Sequence, residues 1–112
     1  MGACTWGRRI DFHDSMFRGD DQFYIRGSVV HELGHVINNT TCLPGGGLFC
    51  GGVGFGIPDR SHHITDYGDK NSFEYWAEAV TDWVYGTRYK TEEGRNPITS
   101  LQADYIQGVF RP

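Results

Sequence analysis

"VVHELGHVINN", residues 29–39, decides how the rest of the chain is read. Its apolar spacing extends from about Gln22 to Asn39, with Ile25, Val29, Leu33, Val36 and Ile37 on one face at about 100° per residue. The reading is a helix whose aliphatic face packs the core. His31 and His35 fall on the opposite face, about 40° apart, so both imidazoles reach one point in space. Gly27 and Gly34 flank that face. Each glycine costs a helix roughly 1 kcal/mol against alanine. Close approach of another backbone would offset that cost.

His31-Glu32-Leu33-Gly34-His35 has the form H-E-x-x-H. Two imidazoles one turn apart supply two ligands to a single tetrahedral zinc. Glu32 is rotated off the metal axis but stays within reach of a water held there. Zinc lowers the pKa of such a water to about 7, and a neighbouring glutamate can take its proton. This is the chemistry of peptide hydrolysis, and it calls for one catalytic Zn2+. It also calls for a third ligand from elsewhere. The long metzincin motif would continue with a glycine and a histidine, but Asn38 and Thr41 stand at those places. Cys4 in "GACTW" matches a deformylase-type cysteine ligand only weakly. Cys42, Cys50, His62 and His63 lack a recognised structural-zinc spacing.

A second helix offers better ligands. "NSFEYWAEAVTDWVYG", 71–86, starts at a capping asparagine with Glu74 three residues on, and stops at Gly86. Phe73, Trp76, Val80, Trp83 and Val84 make its apolar face. Glu74, Glu78 and Asp82 line the other face at i, i+4 and i+8, with no base between them to relieve their repulsion. A dication nearby removes that objection. One carboxylate then binds zinc, and the acid one turn later orients a ligating histidine from behind. Two registers fit. Glu78-Ala-Val-Thr-Asp82 resembles the E-A-x-S-D segment of thermolysin-like gluzincins, with Glu78 as ligand and Asp82 behind it. Glu74-Tyr-Trp-Ala-Glu78 is the other register.

"HELGHVINN" (31–39) and "DYGDKNSFEYWAEAV" (66–80) together resemble the catalytic centre of the anthrax lethal factor and Pro-Pro endopeptidase group of zincins. That group carries a tyrosine, six residues, then a glutamate followed by aromatic-aromatic-Ala-Glu-Ala. Tyr67 and Glu74 have this spacing, with Tyr75-Trp76-Ala77-Glu78-Ala79 following. The resemblance implies that Glu74 is the zinc ligand and that Glu78 supports a histidine. It also implies that Tyr67 stabilises the oxyanion. It implies a zinc metalloendopeptidase catalytic domain over 1–112, acting on a peptide or protein substrate. It favours a secreted location and permits a toxin or effector role. Trp76 departs from the phenylalanine usual at its position, and the loop between the helices is unusually rich in glycine. Both departures bear on substrate preference more than on zinc.

The remaining sequence bounds these readings. The 112 residues suffice for one domain with a modest core. With 38% hydrophobic and 21% charged residues the composition is that of a globular protein. A net charge of −4 argues against a nucleic-acid binder, and no apolar run reaches the ~20 residues of a membrane span. A monomer is expected. "MGACTWGRR" lacks the apolar core of a signal peptide. Trp6, Ile10, Phe12 and Phe17 fit strand spacing, and "RRIDFHD" is the candidate edge for substrate added as a strand. Arg18-Gly19-Asp20 reads as a turn. Seven of the 16 glycines fall in "PGGGLFCGGVGFG", 44–56, where "GVGFGI" offers a short strand. Cys42 and Cys50 are spaced to close a small disulfide loop or to remain reduced. His13, His62 and His63 are exposed polar residues or line the cleft. Asn38 and Asn39 are N-x-T sequons, relevant only in a eukaryotic secretory pathway. "NPITSLQADYIQGVF", 96–110, reads as a third helix with Leu101, Tyr105, Ile106 and Val109 inward. The expected fold is α+β: a minimal zincin with a small sheet, an active-site helix, a glutamate helix and a C-terminal helix. Two rivals keep the metal. One is a deformylase-like amide hydrolase with a closed pocket. The other is a module whose zinc only staples the fold.

Overall fold

The computed structural model describes residues 3–6, 9–12, 22–41, 51–86 and 95–110. His13, the Arg18-Gly19-Asp20 tripeptide, Cys42 and Cys50 lie outside the described residues, as does the side chain of Cys4. Two short strands, β1 (Ala3–Trp6) and β2 (Arg9–Phe12), pair antiparallel with Ala3 opposite Phe12. Three helices follow: α1 (Gln22–Thr40), α2 (Ser72–Tyr85) and α3 (Ser100–Phe110).

The α+β expectation is corrected by this architecture, which is mostly helical. The hairpin lies beside α1, but two strands of four residues do not make a sheet layer. The stretch expected to add a strand, Val53–Gly56, winds instead into a 3-10 turn. Gly51 and Gly52 before it have φ of 97° and 74°, the left-handed region that suits glycine and interrupts a strand.

Helix α2 is the centre of the core. Every residue from Tyr75 to Asp82 is buried. Trp76, Tyr75, Ala79 and Val80 join Val53, Ile57, Ile64 and Ile106 in one apolar cluster. Phe73 and Val84, expected on the inner face, are 47% exposed each. Asn71 caps the helix by accepting from the Glu74 amide at 2.9 Å, and Gly86, at φ 63°, ends it.

Helix α1 turns its histidine face toward α2, as the expected pairing with the glutamate helix requires. His31, Glu32, Gly34 and Asn38 are buried, whereas Leu33 is 47% exposed. The cause is the contact with α2. A Cβ built on Gly34 would lie 3.2 Å from the Ala77 Cα, so the backbones meet closely there. The Trp76 indole N–H donates to the Gly34 carbonyl at 2.9 Å. Gly34 thus has the purpose expected for it. Asn38 accepts from the Gly54 amide at 2.7 Å, which commits this buried sequon side chain to the interior.

Helix α3 begins at Ser100, four residues later than expected. Thr99 Oγ1 accepts from the Gln102 amide at 3.2 Å, and Gln102 Oε1 accepts from the Thr99 amide at 3.0 Å. This reciprocal capping box fixes the start. Leu101, expected inside, is 58% exposed, while Gln102 is fully buried. Gln102 Nε2 donates to the Tyr75 hydroxyl at 2.7 Å and to the Pro58 carbonyl at 3.0 Å. Its amide ties α3 to α2 and to the loop between.

Gly54 shows how tightly the turn is seated. A Cβ there would come within 2.6 Å of the Trp76 Cβ and Cγ. Gly54→Ala is therefore expected to destabilise the protein by about 1–3 kcal/mol, the range for overpacking a filled core. A lowered urea midpoint with unchanged slope is the check. A neutral effect would show that the turn is loose.

Candidate metal centre

The site forms where α1 and the first turns of α2 face each other. His31 and His35 project from α1 toward α2, and Glu74 meets them from α2. Their ligand atoms all lie within 4.8 Å of one another. His31 Nε2 is 3.2 Å from His35 Nε2 and 3.4 Å from Glu74 Oε1. Ligand atoms about 2.0–2.1 Å from a tetrahedral zinc are separated by about 3.3–3.4 Å. Two edges of the donor triangle match this spacing. The third, His35 Nε2 to Glu74 Oε1, is a close 2.5 Å ion-pair contact, shorter than that spacing. The donor set, two imidazoles and a carboxylate, fits zinc.

Glu78 occupies the other side of the His31 ring. Its Oε2 lies 2.9 Å from His31 Nδ1, so Nδ1–H donates to the carboxylate and Nε2 is directed at the cluster. Glu78 is almost fully buried. Its second oxygen, Oε1, accepts from Thr65 Oγ1 at 2.8 Å and faces Arg95 Nη1 at 3.5 Å. The structure therefore brings Glu74, and not Glu78, to the Nε2 side. Asp82 stands further out than expected. Its Oδ1 meets Arg95 Nε at 3.3 Å and its Oδ2 accepts from the Ile98 amide at 3.1 Å. It acts on the segment 95–98 rather than on a histidine directly.

Glu32 is buried, with Oε2 3.8 Å from His31 Nε2. The Tyr67 ring centroid lies 5.6 Å from that of His31, and its phenol is hydrogen-bonded to Glu74. Tyr67 is held from two sides. Thr65 Oγ1 accepts from the Gly68 amide at 2.9 Å, and Lys70 Nζ sits 4.6 Å from the Tyr67 ring centroid. The loop histidines are elsewhere. His62 donates through Nε2 to the Pro97 carbonyl at 2.7 Å, and its own carbonyl accepts from the Tyr75 hydroxyl. His63 donates through Nδ1 to Asp69 at 2.6 Å and lies 3.5 Å from Asp66, on a solvated turn.

The charges explain the proton distribution. Burial pulls the His31 pKa down, but its hydrogen bonds to Glu74 and Glu78 outweigh that, and it is pushed up to about 9. Burial pushes Glu74 up, yet His31, His35 and Tyr67 together hold it well below the usual carboxylate range. Burial and the hydrogen bond to Glu74 push the Tyr67 phenol up, so it stays a donor across the physiological range.

A pH dependence follows from these directions. The contribution of His31 to stability without metal is complete below its ordinary 6.5 and is lost as pH rises through about 9. That of Glu74 is complete above its ordinary 4.5 and is lost on acidification. Both are full between those two values. A zinc ion bound there would have to displace the proton on His31 Nε2, so its affinity is expected to rise with pH up to about 9. Calorimetry in buffers of different ionisation enthalpy will detect the released proton. Affinity that is flat between pH 6 and 9 would contradict this account.

Thr65 and Arg95 are functional candidates that sequence reasoning missed. Thr65 lies two residues before Tyr67 in a loop without periodicity. Arg95 is a lone base between "TEEG" and "NP". Neither position carries a motif, and only the fold brings them to Glu78. Compared with protein-family models, curated proteins and solved structures, the chain matches none.

Proposed function

We propose that this chain is a zinc-dependent endopeptidase, akin to the lethal factor and Pro-Pro endopeptidase group, with His31, His35 and Glu74 as the metal ligands. One observation carries the reading: three ligand atoms of the right kinds converge within 4.8 Å, with the buried Glu32 beside them. Zinc bound there supplies a Lewis acid for the scissile carbonyl and lowers the pKa of a water to about 7.

The chain's own groups do the rest. Glu32 takes the proton of the attacking water as its oxygen bonds to the carbonyl carbon. As the C–N bond breaks, Glu32 returns that proton to the leaving nitrogen. The Tyr67 phenol donates a hydrogen bond to the carbonyl oxygen as negative charge develops there. Without substrate its one proton is turned to Glu74, and it would swing from there to the carbonyl oxygen. Glu78 keeps the His31 proton on Nδ1 and so reserves Nε2 for the metal.

Full chelation is expected to abolish cleavage of a peptide library, and one equivalent of zinc to restore it. Cleavage that survives complete removal of metal would contradict the proposal.

A further inference from the structure

The two oxygens of the Glu78 carboxylate have divided tasks. Oε2 faces His31 Nδ1 at 2.9 Å, while Oε1 takes Thr65 Oγ1 at 2.8 Å and faces Arg95 Nη1 at 3.5 Å. Arg95 comes from a segment remote in sequence from both helices. Its side chain is 3% exposed. Its three guanidinium nitrogens all engage α2. Nη2 donates to the Glu78 carbonyl at 2.9 Å and Nε to Asp82 Oδ1 at 3.3 Å, beside the Nη1 contact.

The segment that carries Arg95 is itself pinned. The Asn96 amide donates to the Ile64 carbonyl at 2.9 Å, and Asn96 Nδ2 to the His63 carbonyl at 3.1 Å. The Ile98 amide donates to Asp82 Oδ2 at 3.1 Å. Thr65 and Arg95 therefore sit on two stretches bonded to one another, and both close on one carboxylate oxygen. A planar fork fixed on a backbone carbonyl and two carboxylates resists rotation in a way a single ammonium cannot.

We propose that Arg95 is a positioning residue for the metal site: it locks the Glu78 carboxylate so that Oε2 stays on His31 Nδ1 and the imidazole stays aimed at the metal. This rests on the reading of His31 as a ligand. Asp82 serves the same end one step further out, by holding the guanidinium.

The test uses the whole chain and the metal alone. Zinc affinity is measured by chelator competition, and the visible spectrum of the cobalt-loaded protein is recorded, well below the unfolding temperature. Arg95→Met is expected to weaken zinc binding about 10–100-fold, the usual effect of removing a group that supports a ligand, and to alter the cobalt spectrum. Arg95→Lys keeps the charge but not the fork, and is expected to fall between Met and wild type on both readouts. Lower stability with wild-type zinc affinity and cobalt spectrum in both variants would show a merely structural arginine and overturn the proposal. If the Met variant does not fold, Arg95→Lys decides, and wild-type behaviour there overturns it. A wild type that binds no zinc sinks this proposal together with the reading beneath it. A zinc-binding wild type with indifferent Arg95 variants sinks this proposal alone.

Discussion

Glu32→Gln is expected to lower kcat for peptide cleavage by on the order of 10²–10⁴-fold while zinc remains bound. Glutamine has the size of glutamate but cannot accept the proton of the attacking water or return it to the amine. Glu32 is almost entirely buried, and its Oε2 lies 3.8 Å from His31 Nε2, beside the cluster of His31, His35 and Glu74. The change should therefore appear in kcat, with KM and metal content little altered. A variant that keeps its activity would remove Glu32 from the chemistry. One that loses zinc would instead place Glu32 among the ligands.

The second large effect separates the two carboxylates of α2. Glu74→Ala removes the carboxylate oxygen that faces both histidines at 3.4 and 2.5 Å and is proposed as a ligand, so stoichiometric zinc should be lost. Glu78→Ala leaves the three donors in place and removes their support, so affinity should fall about 10–100-fold. Its larger consequence is for folding. Glu78 sits between His31 Nδ1, Thr65 and Arg95, and the Arg95 side chain is 3% exposed. Removing one partner of such a buried pair costs about 3–5 kcal/mol, because the other charge is left behind. Glu74→Ala should also lower stability without metal, since it removes the carboxylate that faces His31 and His35. Equilibrium unfolding alongside zinc titration checks both halves. Zinc retained in Glu74→Ala but lost in Glu78→Ala would exchange the two roles.

The contrast explains what the sequence could and could not disclose. The extent of α2 was legible because its stops are local chemistry: Asn71 and Gly86 bound it within a residue of expectation. The pairing of His31 with His35 was legible from their four-residue spacing, but spacing left Glu74 and Glu78 both open, and the resemblance alone singled out Glu74. The exposure of Leu33 and the burial of Asn38 were not legible. Periodicity finds the most apolar stripe, yet here the stripe with Gly34 and Asn38 is the buried one. A glycine permits the closer approach, and an amide, an indole and two carboxylates satisfy the polar groups. The same logic hid Gln102, a polar residue at the centre of a capping box that also bonds Tyr75. The sheet was over-read, since the described strands are two four-residue pieces, Ala3–Trp6 and Arg9–Phe12, and the glycines at 51 and 52 turn the chain elsewhere. Thr65 and Arg95 were invisible because a loop threonine and a lone arginine acquire meaning only from the groups they reach.

X-ray absorption at the zinc edge of the loaded protein reads the ligand set itself. The spectrum should show a first coordination sphere of nitrogen and oxygen at about 2.0–2.1 Å, with the scattering signature of two imidazoles. The Glu74→Ala variant should lose that centre. A sulfur shell at about 2.3 Å in the wild type, or an unchanged centre in Glu74→Ala, would contradict that ligand set.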